Sequence, residues 1–199
     1  MNISSNLLDE IAIARLLADW GLWRDTGRWE RLRAAYTPDA TMKTTWFDGP
    51  ASEFVDASVR AFGKPTTVQH FIGPSTVEVN GDRAVAETRV ILMLRDTLEG
   101  EVVDVTCYGR FVDRMVRQDG RWLIQGRLAI YEKDRMVALD PAKPLAIDRA
   151  ILDCFPSGYR HLAYLQSLGG ARIVTDIPAH NSDAQRVLYA DAAAWLQAA

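Results

Sequence analysis

Asn80-Gly81 is the feature that most narrows the folds open to this chain. Both residue types tolerate the positive φ that a two-residue type I′ turn demands. The pair sits between two runs of alternating apolar and polar residues, Phe71 to Val79 and Arg83 to Arg95. An antiparallel hairpin is therefore expected at the centre of the chain. A looser turn around Glu99-Gly100 leads to a third run, Val102 to Arg117, and Gln118-Asp119-Gly120 turns it into a fourth, Arg121 to Glu132. Strands longer than the usual ~5–6 residues fit a strongly curved antiparallel sheet.

The residues before the hairpin have a different texture. Leu8, Ile11, Ile13, Leu16, Leu17, Trp20 and Trp23 lay a wide apolar stripe along a helix from Leu7 to Asp25, which Gly27 ends. Trp29 to Tyr36 reads as a second, short helix stopped by Pro38-Asp39. Thr41 to Phe47 alternates as a strand, and Asp48-Gly49-Pro50 turns the chain into a third helix, Ala51 to Phe62. Helices followed by a meander of long strands predict an α+β architecture, the curved antiparallel sheet wrapping around the N-terminal helices.

Beyond Arg135 the pattern shifts again. Asp140-Pro141-Ala142-Lys143-Pro144 reads as a linker, followed by helical patterns over Ala146–Cys154, Tyr159–Leu168 and Ser182–Leu196. Leu152, Phe155, Leu162, Tyr164, Leu165, Leu188, Tyr189 and Trp195 make this tail too apolar to stay in solvent. The chain thus divides into a domain over residues 1–135 and a helical C-terminal extension over 136–199. The extension is expected to pack on the domain or on a neighbouring subunit.

Composition excludes several roles. The 199 residues are enough to bury roughly two-thirds of their surface. A formal net charge of −3 with no basic run argues against nucleic acid. No stretch approaches the ~20 apolar residues of a membrane span. The start, Met1-Asn2-Ile3-Ser4-Ser5, lacks the basic region of a secretory signal, and Cys107 and Cys154 form no CxxC pair. A reduced, cytoplasmic protein is the natural expectation. No HxH, HExxH or paired-cysteine spacing points to a metal, Ser157 lacks a GxSxG context, and Gly158 and Gly169-Gly170 form no phosphate loop. Neither metal nor cofactor is expected.

Three side chains carry the chemistry that remains. Asp25 closes the first helix, where a carboxylate opposes the dipole and needs a partner: Arg24, Arg28 or a more distant group. His70 opens the strand Phe71 to Val79, and an imidazole ordinarily titrates near pH 6.5. Alternation along the last strand puts Leu123, Gln125, Arg127, Ala129 and Tyr131 on one face, so Arg127 lies among apolar neighbours. It reads either as a structural ion-pair partner or as a clamp for a developing oxyanion. Singly, each of the three fits a structural role. Trp20, Trp23, Trp29 and Trp46 fit core packing and equally the wall of a pocket for a flat apolar ligand.

Together they resemble a family. Trp23-Arg24-Asp25-Thr26-Gly27-Arg28-Trp29, Gln69-His70-Phe71-Ile72-Gly73 and Asp119-Gly120-Arg121-Trp122-Leu123-Ile124 resemble the SnoaL-like branch of the NTF2-like (cystatin-like cone) superfamily over about residues 7–135. The Asp-Gly-x-Trp turn is common across that superfamily. The aspartate and histidine are more selective and resemble the dyad of hexachlorocyclohexane dehydrochlorinase, bile-acid dehydratase and scytalone dehydratase, which are cofactor-free lyases. Arg127 falls five residues after Trp122, where the dehydrochlorinase has its catalytic arginine. The bile-acid enzyme has its arginine two residues further on, where this chain has Ala129, although Ile130-Tyr131-Glu132 resembles that enzyme's strand end. Trp20 stands where two of these relatives have a lysine or tyrosine. A proton donor must then come from elsewhere, with Tyr108 and Tyr131 as candidates.

The resemblance implies a cofactor-independent lyase on a small hydrophobic cyclic or aromatic molecule. His70 is the implied base, Asp25 its orienting group and Arg127 the charge stabiliser, with Trp20, Trp23, Trp46, Tyr108 and Tyr131 as substrate-binding candidates. The fold also serves isomerases, non-catalytic binding modules and the small subunits of ring-hydroxylating oxygenases. Val103, Val105, Phe111 and Met115 are expected on the outer sheet face, where they require cover. A homo-oligomer follows, a trimer or a dimer by resemblance.

Overall fold

The computed structural model describes residues 5–63 and 66–198; Met1 to Ser4, part of the start inspected for a leader, lie outside them. Helix α1 (Ser5–Asp25) leads to α2 (Trp29–Arg33), strands β1 (Tyr36–Thr44) and β2 (Phe47–Pro50), and helix α3 (Ala51–Ala61). Four long strands follow: β3 (Thr67–Asn80), β4 (Arg83–Leu98), β5 (Glu101–Gln118) and β6 (Arg121–Ala138). The extension contributes α4 (Arg149–Leu152), α5 (Arg160–Leu168) and α6 (Asp183–Gln197). One curved, open sheet of order β2-β1-β6-β5-β4-β3 is antiparallel except where β1 runs parallel to β6. This is the expected α+β cone.

Several boundaries moved, each for a local reason. The second helix stops at Arg33, so Tyr36 opens β1; the ladder between β1 and β6 breaks between Tyr36 and Thr41, and Pro38 sits in that break. Proline, lacking an N–H, is tolerated at such an irregularity. Strand β3 begins at Thr67, four residues before Phe71, making His70 its fourth residue. On α1 only Ile13, Leu17 and Trp20 of the apolar stripe are fully buried, while Leu8 and Ile11 are exposed.

Helix α1 ends as the Gly27 signal requires. Gly27 has φ +70°, and the Arg28 N–H reaches back to the Trp23 carbonyl at 2.9 Å, the wide bond of a Schellman closure. Earlier in the helix, Gly21 allows close contact with β3. A Cβ on Gly21 would fall 2.6 Å from Cγ1 of Ile72.

A bulge at Gln125 reverses the expected alternation of β6. Ile124 pairs with Met115 and Gly126 with Arg114, leaving Gln125 unpaired. Trp122 and Ile124 therefore join Arg127, Ala129 and Tyr131 on the inner face. Val103, Val105, Phe111 and Met115, expected outside, also point inward and are at most 4% exposed. They are odd-numbered residues of a regular β5 whose inner face α1 and α5 cover, so these four need no second copy to cover them.

The extension uses both sides of the sheet. Leu152, Leu162, Ala163, Tyr164 and Leu165 enter the inner core. Helix α6 lies on the outer side, where Arg110, 6% exposed, donates to Glu87 at 2.6 Å and also binds Glu132. Tyr189 on α6 donates to the same Glu87 at 2.5 Å. No helix is long and apolar enough to cross a membrane among the described residues.

Candidate active site

Asp25 lies one helical turn beyond Gly21, so the close approach of α1 to β3 carries its carboxylate to His70. The main-chain N–H of His70 donates to Oδ2 of Asp25 at 2.6 Å, and ring Nδ1 lies 2.6 Å from Oδ1. Both side chains are mostly buried, at 12% and 13% exposure. A carboxylate only accepts, so this network places the ring proton on Nδ1. Nε2 has no protein partner among the described residues and carries the lone pair. Trp20 meets the imidazole edge-on at 5.6 Å between ring centroids, and its own Nε1–H donates to the Tyr36 hydroxyl at 2.6 Å.

His70 borders a cavity of about 250 Å³. Aromatic walls come from Trp20, Trp46, Phe54 and Phe111, and aliphatic ones from Val90, Leu92 and Leu94. Tyr131 closes one side; burial lifts its hydroxyl well above the ordinary tyrosine range, keeping it a donor. The extension supplies the remaining wall through Leu165, Gln166, Gly169 and Ala171. Gln166 accepts a hydrogen bond from Thr45 at 2.7 Å, and the Val174 N–H donates to the Thr45 carbonyl at 2.8 Å, tying the extension to the β1–β2 turn.

The other expected residues separate. Trp20, Trp46 and Tyr131 line the cavity with His70. Trp23 is half-buried against the core and does not border it. Tyr108 lies on the opposite sheet face, with Lys133 Nζ 5.2 Å from its ring centre. Arg127 stands behind the aromatic wall, its guanidinium 4.3 Å and 4.4 Å from the ring centres of Trp20 and Phe111. It binds Asp113 through Nε at 2.6 Å and Nη2 at 3.0 Å, while Nη1 has no hydrogen-bond partner. Burial raises the Asp113 pKa, and Arg127 opposes that shift. Arg127 therefore supports the wall and does not border the cavity.

Arg24, Thr66, Asp96 and Gln166 line the cavity without having been singled out as site residues. Arg24 stands next to Asp25 in the sequence, where it is one of the candidate partners for that carboxylate. Asp96 and Gln166 carry no local signal, since only the folded chain brings β4 and α5 to one mouth.

A second histidine–carboxylate pair lies away from the cavity. Asp134 accepts from the N–H groups of His161 and Leu162 at 2.6 Å and 2.8 Å, with His161 Nδ1 at 2.8 Å. Here the carboxylate satisfies the free N–H groups at the start of α5, and His161 does not border the cavity. Among the described residues no group of three or more His, Cys, Asp or Glu is arranged to hold a metal ion.

This curved sheet wrapped on its helices is the fold that the sequence resembled. Residues 5–127 match the SnoaL-like domain family. The chain belongs to the SnoaL-like family. It is 30% identical over 202 residues to a PEP2-like protein of Fusarium vanettenii, covering 96% of this chain and 87% of that protein, so the likeness extends into the C-terminal extension. Among solved structures, a type 2 hexachlorocyclohexane dehydrochlorinase superposes with a TM-score of 0.57 at 16% identity, over 71% of this chain and 97% of that one. A Novosphingobium aromaticivorans protein assigned as a scytalone dehydratase gives 0.56 at 21% identity, over 72% and 97%. At these identities the structural likeness is one of fold.

Proposed function

We propose that this SnoaL-like protein is a cofactor-independent lyase acting on a small cyclic or aromatic molecule. The observation carrying this reading is the doubly bonded Asp25–His70 pair on the wall of an aromatic-lined cavity. Nε2 of His70 removes a proton from a carbon beside a leaving group. The electron pair of that C–H bond becomes a new C=C bond, and the bond to hydroxide or halide breaks with its electrons. Asp25 holds the ring by Nδ1 and stabilises the imidazolium that forms. Tyr131 is a neutral hydroxyl available to the departing group. Positioned proton transfer contributes ~10²–10⁴-fold.

Arg127 acts in this scheme as a positioning residue that holds the Trp20–Phe111 wall. The test uses the purified chain with a panel of cyclic alcohols and halides bearing an acidic C–H beside the leaving group. Product formation is followed together with uptake of solvent deuterium. His70→Ala is expected to abolish turnover while leaving the fold intact. A His70→Ala protein that keeps most of the wild-type rate would overturn the assignment of the base.

A further inference from the structure

Arg24 is the only lysine or arginine on the cavity wall among the described residues. It is half-buried and differs from the two buried arginines. Arg127 is bonded to Asp113 and Arg110 to Glu87 and Glu132, whereas no carboxylate lies within ion-pair distance of Arg24 among the described residues. Its neighbour Asp25 turns both carboxylate oxygens to His70 and makes no ion pair with Arg24. Burial depresses the Arg24 pKa, and the charge of Asp25 and the buried Tyr36 oppose that shift. The guanidinium also lies 5.8 Å from the Trp29 ring centre. A desolvated cation without a bonded acid is costly, and an anion arriving on a ligand would remove the deficit.

The position suits that role. Arg24 borders both the His70 cavity and a second void of about 320 Å³ that Asp25, Phe62 and Thr67 line, so it stands where the two meet. Asp96, the other charged wall residue, accepts from the Thr66 hydroxyl at 2.6 Å and the Thr97 N–H at 2.8 Å, and repels an anion from its own side.

We propose that Arg24 binds the carboxylate of a small aromatic or cyclic acid whose apolar body occupies the cavity. The substrate class is then an organic monoanion, recognised by the planar fork of the guanidinium. The inference rests on the cavity being the substrate site, and it names what that site selects.

The test is calorimetric titration of the full chain with acids and their isosteric amides: benzoate against benzamide, naphthoate against naphthamide, cyclohexanecarboxylate against its carboxamide. The acid is expected to bind about ten- to a hundredfold more tightly than the amide. Arg24→Gln is expected to erase the preference, and Arg24→Lys, which keeps the charge without the fork, to retain part of it. His70→Ala is expected to leave the preference in place, so failure of the lyase reading and failure of this one are separately visible. Equal binding of acid and amide, binding of neither, or a preference surviving in Arg24→Gln overturns the proposal. The wild-type comparison alone can do so if a variant fails to fold.

Discussion

Asp25 holds His70 at two points, the main-chain N–H on one carboxylate oxygen and ring Nδ1 on the other, each at 2.6 Å. The first bond fixes the position of the strand and the second the direction of the ring. One carboxylate thereby sets both backbone and imidazole, leaving Nε2 without a protein partner among the described residues.

Replacing Asp25 by Asn should separate the two bonds. The amide oxygen still accepts from one N–H group, but the negative charge behind the ring is lost. We expect turnover to fall by about 10²–10⁴-fold with little change in the unfolding midpoint. Long-range ¹⁵N correlation spectra should show the ring proton on Nδ1 in the wild type and a larger share on Nε2 in Asp25→Asn. An unchanged tautomer and an unchanged rate together would remove Asp25 from the mechanism.

Gly21 offers a test of how the pair is assembled. Alanine in a helix interior is ordinarily favoured over glycine by about 1 kcal/mol. Here its methyl would meet Ile72 at 2.6 Å, too close without movement of α1 or β3. Gly21→Ala should therefore destabilise by roughly 1–3 kcal/mol, as overpacking does, and loosen the Asp25–His70 contact. Urea unfolding gives the first quantity, and the His70 ring resonances report the second. A stabilised Gly21→Ala protein with native resonances would mean that the approach is not tight.

Arg127 should matter for stability. Arg127→Met strands Asp113, which is completely buried, and should cost about 3–5 kcal/mol. The double change Arg127→Met with Asp113→Leu should recover much of that loss, because it removes both charges together. Arg127→Lys should fall short of the wild type, since the bidentate, ring-stacked site needs the planar guanidinium. Chemical denaturation of the four proteins checks the pattern, and a double variant as weak as Arg127→Met would refute it.

Alkaline pH probes the wall from behind. Burial pushes the Tyr36 hydroxyl up to about 12, against the opposing charge of Arg127 and the Trp20 hydrogen bond. A folded-state pKa above the unfolded value near 10 means that the native protein holds its proton longer. The contribution, roughly 2–3 kcal/mol, is complete below about pH 10 and is lost as pH rises towards 12. Tyr159, also raised by burial to about 12, adds to the same decline. Unfolding midpoints across this range should fall steeply, and Tyr36→Phe should flatten the slope. Tyrosinate absorbance in the native protein at pH 11 from all six tyrosines would contradict it.

The residues themselves determined the local events. Gly81-Asp82 and Asp119-Gly120 make the turns, the first one residue later than the Asn80-Gly81 signal because Asn80 still pairs with Arg83; Gly81 has φ +59° and Asp119-Gly120 +50° and +73°. Gly27 ends α1 directly after Asp25, and Asp25 and His70 were legible as a pair because the family resemblance supplied the long-range partner that spacing cannot. What lay beyond reach was non-local. A single unpaired residue, Gln125, changes which side chains of β6 face inward, and the match of strand against strand decides where such a bulge falls. The same limit applied to the arginines. Arg127 was expected at the cavity and lies bonded to Asp113 behind Trp20 and Phe111, while Arg24 reaches the wall. A cavity is the space left between elements distant in the chain. Its lining is therefore set by how α1, the sheet and α5 pack together, and only the tertiary structure could decide it.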